Sequence, residues 1–289
     1  MEKITAIIVA KNHPPYILKT ISSIEDFVKE IVIVDIGIDN KLINTLKKNK
    51  KISIHKINKD IQYVELIREK VKNLAKTEYI LFLDPDEVIQ PKLKTLIKSN
   101  LNNYDYFKIP RKNIIFDKWI KHSRWWPDYQ IRLFKKDKVF WPEIIHSQPK
   151  IIGKGLEIEA DENLAIIHYN YQNLDQYLEK AQRYAKSEAQ QLIKEDKIFT
   201  FKDVINKALN EFISRYFADL GYKDGIHGFI LSFLQMFYYF LVYFYYLESK
   251  KFTTDENINP KEYFKQGLKQ SLHWETNKSL KEKIVKKIL

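Results

Sequence analysis

Apolar residues over the first third of the chain fall in short, nearly unbroken blocks at residues 4–10 (Ile-Thr-Ala-Ile-Ile-Val-Ala), 30–35 (Glu-Ile-Val-Ile-Val-Asp) and 78–84 (Glu-Tyr-Ile-Leu-Phe-Leu-Asp). Blocks this short, rich in β-branched and aromatic side chains, predict strands covered on both faces, as in a parallel sheet. The segments between them change period. Ile17, Leu18, Ile21, Ile24 and Phe27 share one face of a helix over residues 15–28, and Val64, Ile67, Val71, Leu74 and Ala75 make a second stripe. Strand, helix, strand, helix, strand is the order of an open α/β sheet joined by right-handed crossovers.

Beyond residue 104 the pattern becomes irregular, aromatic and basic. Residues 111–136 carry eight Lys or Arg against two Asp, and Trp119, Trp125, Trp126 and Trp141 lie in or beside this stretch. Residues 174–195 and 201–220 then read as polar helices. Residues 229–247 form a charge-free run of nineteen with ten aromatics, and a lysine-rich tail follows. The chain thus divides into a sheet-forming domain over residues 1–170 and a helical extension over residues 171–289.

Composition narrows the chemistry. There are no cysteines, which removes disulfides, thiolate zinc sites and cysteine nucleophiles. A net charge of +12 points to polyanionic partners such as phosphorylated substrates or anionic lipid. No helix-turn-helix, zinc finger or RNA-binding signature accompanies that charge, so nucleic acid is not an expected partner. The first residues enter a strand directly, without a signal-peptide pattern, which predicts a cytoplasmic location.

In an open α/β sheet ligands bind beyond the carboxyl ends of the strands. Asp35 closes the second block and Asp84 the third. Asp84-Pro85-Asp86 spaces two carboxylates by one residue, and in an extended segment both would point one way, toward one cation. Hard oxygen ligands suit magnesium or manganese, which would bridge to a diphosphate. An isolated Asp-X-Asp is usually a solvated turn. The preceding Tyr-Ile-Leu-Phe-Leu block and the order of earlier elements favour a site. Glu87 adds a third acid, suited to a supporting or helix-capping role.

These motifs resemble the family 2 glycosyltransferases of the GT-A fold. The likeness runs over about residues 3–185. It rests on the first block with Lys11-Asn12, the second block ending at Asp35, Arg68, and Leu-Phe-Leu-Asp-Pro-Asp-Glu. Lys118-Trp119-Ile120, the run Trp126-Pro127-Asp128-Tyr129-Gln130-Ile131-Arg132-Leu133-Phe134 and Trp141-Pro142-Glu143-Ile144-Ile145-His146-Ser147 look most like the branch that adds glucose to the lipopolysaccharide core. The resemblance implies an inverting hexosyltransferase with a nucleotide-sugar donor such as UDP-glucose. It implies that Ala10, Lys11 and Asn12 border the base, that Asp35 meets base or ribose, and that Arg68 meets the nucleotide or its phosphates. Asp84 would serve ribose and metal, and Asp86 the metal. Ile36 and Ile38 replace the small hydroxyl residues usual after the second strand, and Glu69 stands where Asn is common.

An inverting transferase needs a base near the acceptor hydroxyl. Glu143 and His146 rank above Asp128 for that role, and His146 can equally be a structural hydrogen-bonding group. Arg132 reads as a phosphate or acceptor contact, or equally as an ion pair across the sheet. Trp125 and Trp126 read as sugar-stacking platforms or as core anchors. His168 reads as a third metal ligand or a structural histidine.

The run at residues 229–247 meets the length of a membrane span. Its five tyrosines and the basic residues on both sides favour an interfacial helix on anionic lipid instead, with a true span or a core or dimer helix as the other readings. The sequence therefore predicts a metal-dependent glycosyltransferase, peripheral on the inner face of the cytoplasmic membrane, acting on a cell-envelope glycan or lipid-linked saccharide. The rivals are a nucleotidyl or phosphosugar transferase and a non-catalytic, membrane-docked module that binds sugar nucleotides. The first rival wants a glycine-rich phosphate loop after the first strand, where Lys11-Asn12-His13-Pro14-Pro15 stands.

Overall fold

The computed structural model describes residues 3–57, 61, 64–142, 149–253 and 259–274. The chain forms two compact units, Met1–Ile114 with Pro127–Asn170, and Ile115–Trp126 with Tyr171–Leu289. Residues 115–126, read from sequence with the first domain, thus cluster with the helices that follow residue 170.

The first part of the chain runs β1 (Ile4–Asn12), α1 (Ile17–Ile24), β2 (Glu30–Ile38), α2 (Asn40–Leu46), β3 (Ile52–Lys56), α3 (Arg68–Val71), β4 (Tyr79–Leu83), β5 (Glu87–Ile89), α4 (Pro91–Asn100), β6 (Tyr106–Ile109) and β7 (Arg111–Ile115). Next come β8 (Lys118–Trp119), β9 (Gln130–Lys135), β10 (Val139–Phe140), β11 (Lys150–Ile151), β12 (Gly155–Glu157) and β13 (Ile166–Tyr171). The helices α5 (Leu174–Lys194), α6 (Phe201–Ile213), α7 (Ile226–Ser249) and α8 (Pro260–Trp274) complete the second unit.

The main sheet has the order β12-β6-β9-β4-β1-β2-β3. β1 pairs in parallel with β2 and β4, and β2 with β3, while β9 runs antiparallel to both β4 and β6. This is the mostly parallel α/β sheet that the apolar blocks predicted. Alternate residues serve opposite faces, as the two-residue period of a strand requires. Ile4, Ala6, Ile8 and Ala10 of β1 join Ile31, Ile33, Leu81 and Leu83 in one core, and Ile7 joins Val32, Val34, Ile80 and Phe82 in the other. With no polar face to maintain, these strands read as unbroken apolar blocks.

Three elements depart from the sequence pattern. β3 is an edge strand whose Ile52 and Ile54 are only half-buried, so its signal was weak. The stripe at Val64–Leu74 is a 3₁₀ turn, the four-residue α3 and a second 3₁₀ turn instead of one helix. The helix expected over residues 201–220 ends at Ile213. A π turn, closed by Asp219 N–H on the Ser214 carbonyl at 2.7 Å, delivers Leu220 to a left-handed φ of 58°.

Leu81 sits fully buried at the centre of β4. Leu81→Ala is expected to cost about 2–5 kcal/mol, the usual range for a buried leucine. Chemical denaturation measures it, and a cost well under that range would contradict the packing.

Candidate active site

The carboxyl ends of the parallel strands bring the predicted donor residues to one edge of the first unit. Ala10 lies opposite Asp35 in the register of β1 and β2, and Leu83, which precedes Asp84, lies opposite Ile8. Ala10 is buried, while Lys11 and Asn12 are exposed, with Asn12 at a left-handed φ of 56°. Asp35 is buried, and its Oδ1 accepts from the backbone N–H of Gly37 and Ile38 at 2.8 and 2.7 Å. That oxygen holds the irregular last residues of β2 and leaves Oδ2 without a backbone donor among these bonds. Arg68 opens α3, half-buried, and its charge acts on Asp84. Glu69 takes the Trp141 N–H at 3.0 Å and Lys72 Nζ at 2.6 Å, which gives this departure from the family pattern a structural role.

Asp84-Pro85-Asp86-Glu87 is a turn, not the extended segment expected. Glu87 N–H donates to the Asp84 carbonyl at 3.1 Å, and proline at the second position supplies the fixed φ such turns favour. Thr20 Oγ1 donates to the Pro85 carbonyl at 3.0 Å, Tyr169 N–H to the Asp86 carbonyl at 3.0 Å, and Asp84 N–H to Glu87 Oε2 at 3.1 Å. The two aspartates consequently meet different partners. Asp84 pairs with Arg132 on β9, and Asp86 Oδ1 lies 3.7 Å from His168 Nε2 on β13.

From these two points a polar circuit closes through the protein. Glu87 has no solvent exposure and its Oε1 accepts from Arg132 Nη2 at 2.6 Å and Arg111 Nη1 at 3.1 Å. Arg111 also donates from Nε to Asp128 Oδ2 at 3.0 Å. Asn113 Nδ2 donates to Asp128 Oδ2 at 3.1 Å, and Gln130 Nε2 to Oδ1 at 3.0 Å. The Asn113 carbonyl oxygen then meets His168 Nδ1 at 2.6 Å. Since Asp128 only accepts, the Asn113 amide is oriented with its oxygen toward His168, and Nδ1 is the protonated nitrogen there. In the neutral ring Nε2 therefore carries the lone pair, on the side of Asp86.

Burial, the largest single influence on Asp84, works to raise its carboxyl. Arg132, Arg68, Arg111 and His168 together outweigh it and hold the group well below the usual carboxylate range. Burial likewise opposes ionisation of Asp128, and Arg111, Asn113 and Gln130 bring it below its ordinary value. Arg132 is held charged, its burial outweighed by Asp84 and Glu87.

Among the described residues no group of three or more His, Asp or Glu side chains is disposed to hold a metal ion. The expected set of Asp84, Asp86 and His168 is not assembled as one cluster, because Asp84 faces a guanidinium. Asp86 and His168 do suit a cation. A carboxylate and an imidazole lone pair approach at 3.7 Å, beyond hydrogen-bond reach, with the imidazole fixed from behind by Asn113.

On the acceptor side, Arg132 is the buried ion pair and not an exposed contact, being 3% exposed between Asp84 and Glu87. Asp128 has both oxygens engaged. Glu143 and His146 lie outside the described residues. In the second unit Trp125 packs with Ile115, Ile120, Tyr177 and Leu231, its ring edge-on to Tyr171, and Trp126 stands edge-on to Trp119. Arg111, Asn113 and Gln130 were not singled out from the sequence. The available signal was the two-residue spacing of Arg111 with Asn113 and of Gln130 with Arg132, polar pairs on single strand faces.

Residues 5–149 match the sequence profile of the family described as Glycosyl transferase family 2. The chain belongs to that family. Family 2 membership makes the protein a glycosyltransferase of GT-A fold, taking a nucleotide-sugar donor and an acceptor. It is similar to uncharacterized glycosyltransferases of Rickettsia felis, at 23% identity, and of Rickettsia conorii, at 22%. Each alignment covers 83% of this chain and 88% of the relative. The crystal structure of S. aureus TarS residues 1–349 aligns over 94% of this chain and 80% of that one, with 13% identity and a TM-score of 0.40.

Two tests follow from the circuit. Glu87→Ala removes the shared acceptor of two buried arginines and is expected to cost about 3–5 kcal/mol in denaturation; a near-neutral effect would deny it that role. Asp84 and Asp128 both lie below their unfolded values, so each favours the fold above about pH 4 and loses that contribution as pH falls through the depressed folded-state values. The thermal midpoint should drop on acidification below about pH 4. Asp128→Asn should flatten the drop, and an unchanged slope would remove its share.

Proposed function

We propose that this family 2 enzyme is an inverting hexosyltransferase that moves a sugar, glucose from UDP-glucose being the leading candidate, to a cell-envelope glycan or lipid-linked saccharide. The branch of transferases acting on the lipopolysaccharide core supplies the substrate class, through the Trp126–Phe134 run. The observation that carries the donor side is the turn at Asp84–Glu87, rigidly tied at the carboxyl ends of the strands.

In this reading Asp86 and His168 hold a magnesium or manganese ion, whose charge would stabilise the nucleoside diphosphate as it leaves. Asp84, kept ionised by the arginines around it, accepts hydrogen bonds from the ribose. Asp35 Oδ2 and the edge at Ala10, Lys11 and Asn12 receive the base. Arg68 meets the phosphates, where a fixed positive charge offsets the charge that builds on the leaving group.

The acceptor hydroxyl must lose a proton as the new bond forms. Asp128 is a weak base for that step, since its oxygens are occupied by Arg111, Asn113 and Gln130 and its carboxyl is depressed. Glu143 and His146 are therefore the proposed bases, and Trp126 the preferred stacking surface for the acceptor. The enzyme works at the inner face of the cytoplasmic membrane, where a lipid-linked acceptor is presented.

Isothermal titration with UDP should show binding that strengthens on adding manganese and loses that gain in Asp86→Ala. Transfer by Asp86→Ala should fall on the order of 100-fold or more with the fold intact. Full activity in that variant would overturn the metal assignment. UDP binding with no transfer to any acceptor would favour the binding-module alternative.

A further inference from the structure

Helix α7 sorts its aromatic residues by chemistry. Its tyrosines turn toward the neighbouring helices of the second unit. Tyr238 Oη donates to Glu188 at 2.6 Å, and Gln182 donates to Tyr245 Oη at 2.8 Å. Tyr243 and Tyr246 are buried against Phe199, and Tyr246 Oη donates to the Lys197 carbonyl at 3.3 Å. These hydroxyls do not reach toward a lipid headgroup layer, as the sequence had suggested.

The phenylalanines are placed the other way. Ile226, Phe229, Phe233, Phe237, Phe240 and Phe244 recur at spacings of three and four, which is one face of a helix. Ile226 is 65% exposed, Phe229 42%, Phe233 45% and Phe244 46%. The face extends at one end through touching rings, with Phe229 stacked on Phe233 and in edge contact with Tyr216, which in turn meets Tyr222. A helix facing water carries its polar side chains outward. Here Tyr243 and Tyr246 are buried and Tyr238 and Tyr245 are bonded to α5, while Ile226, Phe229, Phe233 and Phe244 lie exposed and Phe240 packs against the core of the unit.

Exposed cations are interleaved with exposed apolar groups along the same unit. Lys223 lies between Tyr222 and Ile226, and Lys250 and Lys251 precede Phe252. On α8, exposed Phe264 and Leu268 alternate with exposed Lys261, Lys265 and Lys269. An isologous dimer through such surfaces would set lysine against lysine. A layer of anionic headgroups over acyl chains satisfies both kinds of group at once. A full span is disfavoured because α7 is bonded along its side to α5, which would carry its Lys and Glu side chains into the hydrocarbon.

We infer that the second unit docks on an anionic lipid surface through the outward phenylalanine face of α7 and the basic, apolar face of α8, without crossing it. The inference rests on the membrane association proposed above and is independent of the sugar chemistry. The test is co-sedimentation of the full chain with phosphatidylcholine vesicles, with and without phosphatidylglycerol. The wild-type chain should pellet with the anionic vesicles. Phe233→Ser with Phe244→Ser should weaken that partition about ten-fold or more, at unchanged circular dichroism and thermal midpoint. Lys261→Gln, Lys265→Gln and Lys269→Gln together should remove the preference for anionic over neutral vesicles. A wild-type chain left in the supernatant throughout would overturn membrane association itself. Wild-type pelleting undiminished in both variants would keep the association and overturn this surface. A dimer that depends on Phe233 and resists vesicles would reassign the face to a second copy. Transfer to a soluble acceptor, measured alongside, reports the enzymatic reading separately.

Discussion

Glu87 is a carboxylate with no access to water, and its placement governs the rest of the site. A buried anion must be met by charge-assisted hydrogen bonds or not form at all. Glu87 is met three times, by Arg132, Arg111 and the Asp84 N–H. Each arginine then requires a second anion, and these are Asp84 and Asp128. Asp128 in turn orients the Asn113 amide, and Asn113 sets the tautomer of His168. One interior charge thus fixes, through Asp128 and Asn113, the direction of an imidazole beside Asp86 without touching it. The turn that this support stiffens is the same four residues that a sequence motif would treat as two free ligands.

The sheet itself was legible because its strands are buried on both faces. Residues 4–10, 30–35 and 78–84 carry the signal continuously, and β1, β2 and β4 appear within a few residues of them. The edge strand β3 has half-buried isoleucines and gave little. In the site, Asp35 and Asp84 were singled out by closing apolar blocks, Arg68 by the family resemblance, and Arg132 by its strand, with the ion pair already among its readings. The turn geometry was not legible. Whether Asp84 and Asp86 point together depends on a bond from Glu87 N–H to the Asp84 carbonyl, and their partners lie on β9 and β13. Arg111 and Asn113 look like ordinary edge-strand polar residues until β5 and β13 are folded against them.

The second unit shows a different limit of sequence pattern. The length of the charge-free run at residues 229–247 suggested a span, and its five tyrosines an interfacial helix. Which way each phenol turns becomes legible only when the faces of α7 are separated by its packing on α5 and α6. The segment at residues 115–126 was read with the sheet because it follows β7 without a break. It clusters with the helices through Asp224, which takes the His122 N–H at 2.8 Å, and through the Ser123 N–H on the Asp219 carbonyl at 2.9 Å.

The closed circuit through Glu87 also sets a clock on the growing polypeptide. Its members enter the chain in the order Asp84, Asp86, Glu87, Arg111, Asn113, Asp128, Gln130, Arg132 and finally His168. Translation delivers residues in that order, so a nascent chain that has just emerged through β9 already owns both acids of the turn. It still lacks the imidazole opposite Asp86, and the Tyr169 N–H that pins the Asp86 carbonyl. The residues that tie down the Asp84–Glu87 turn are thus not all present until β13 is made, well after the parallel strands that carry the turn.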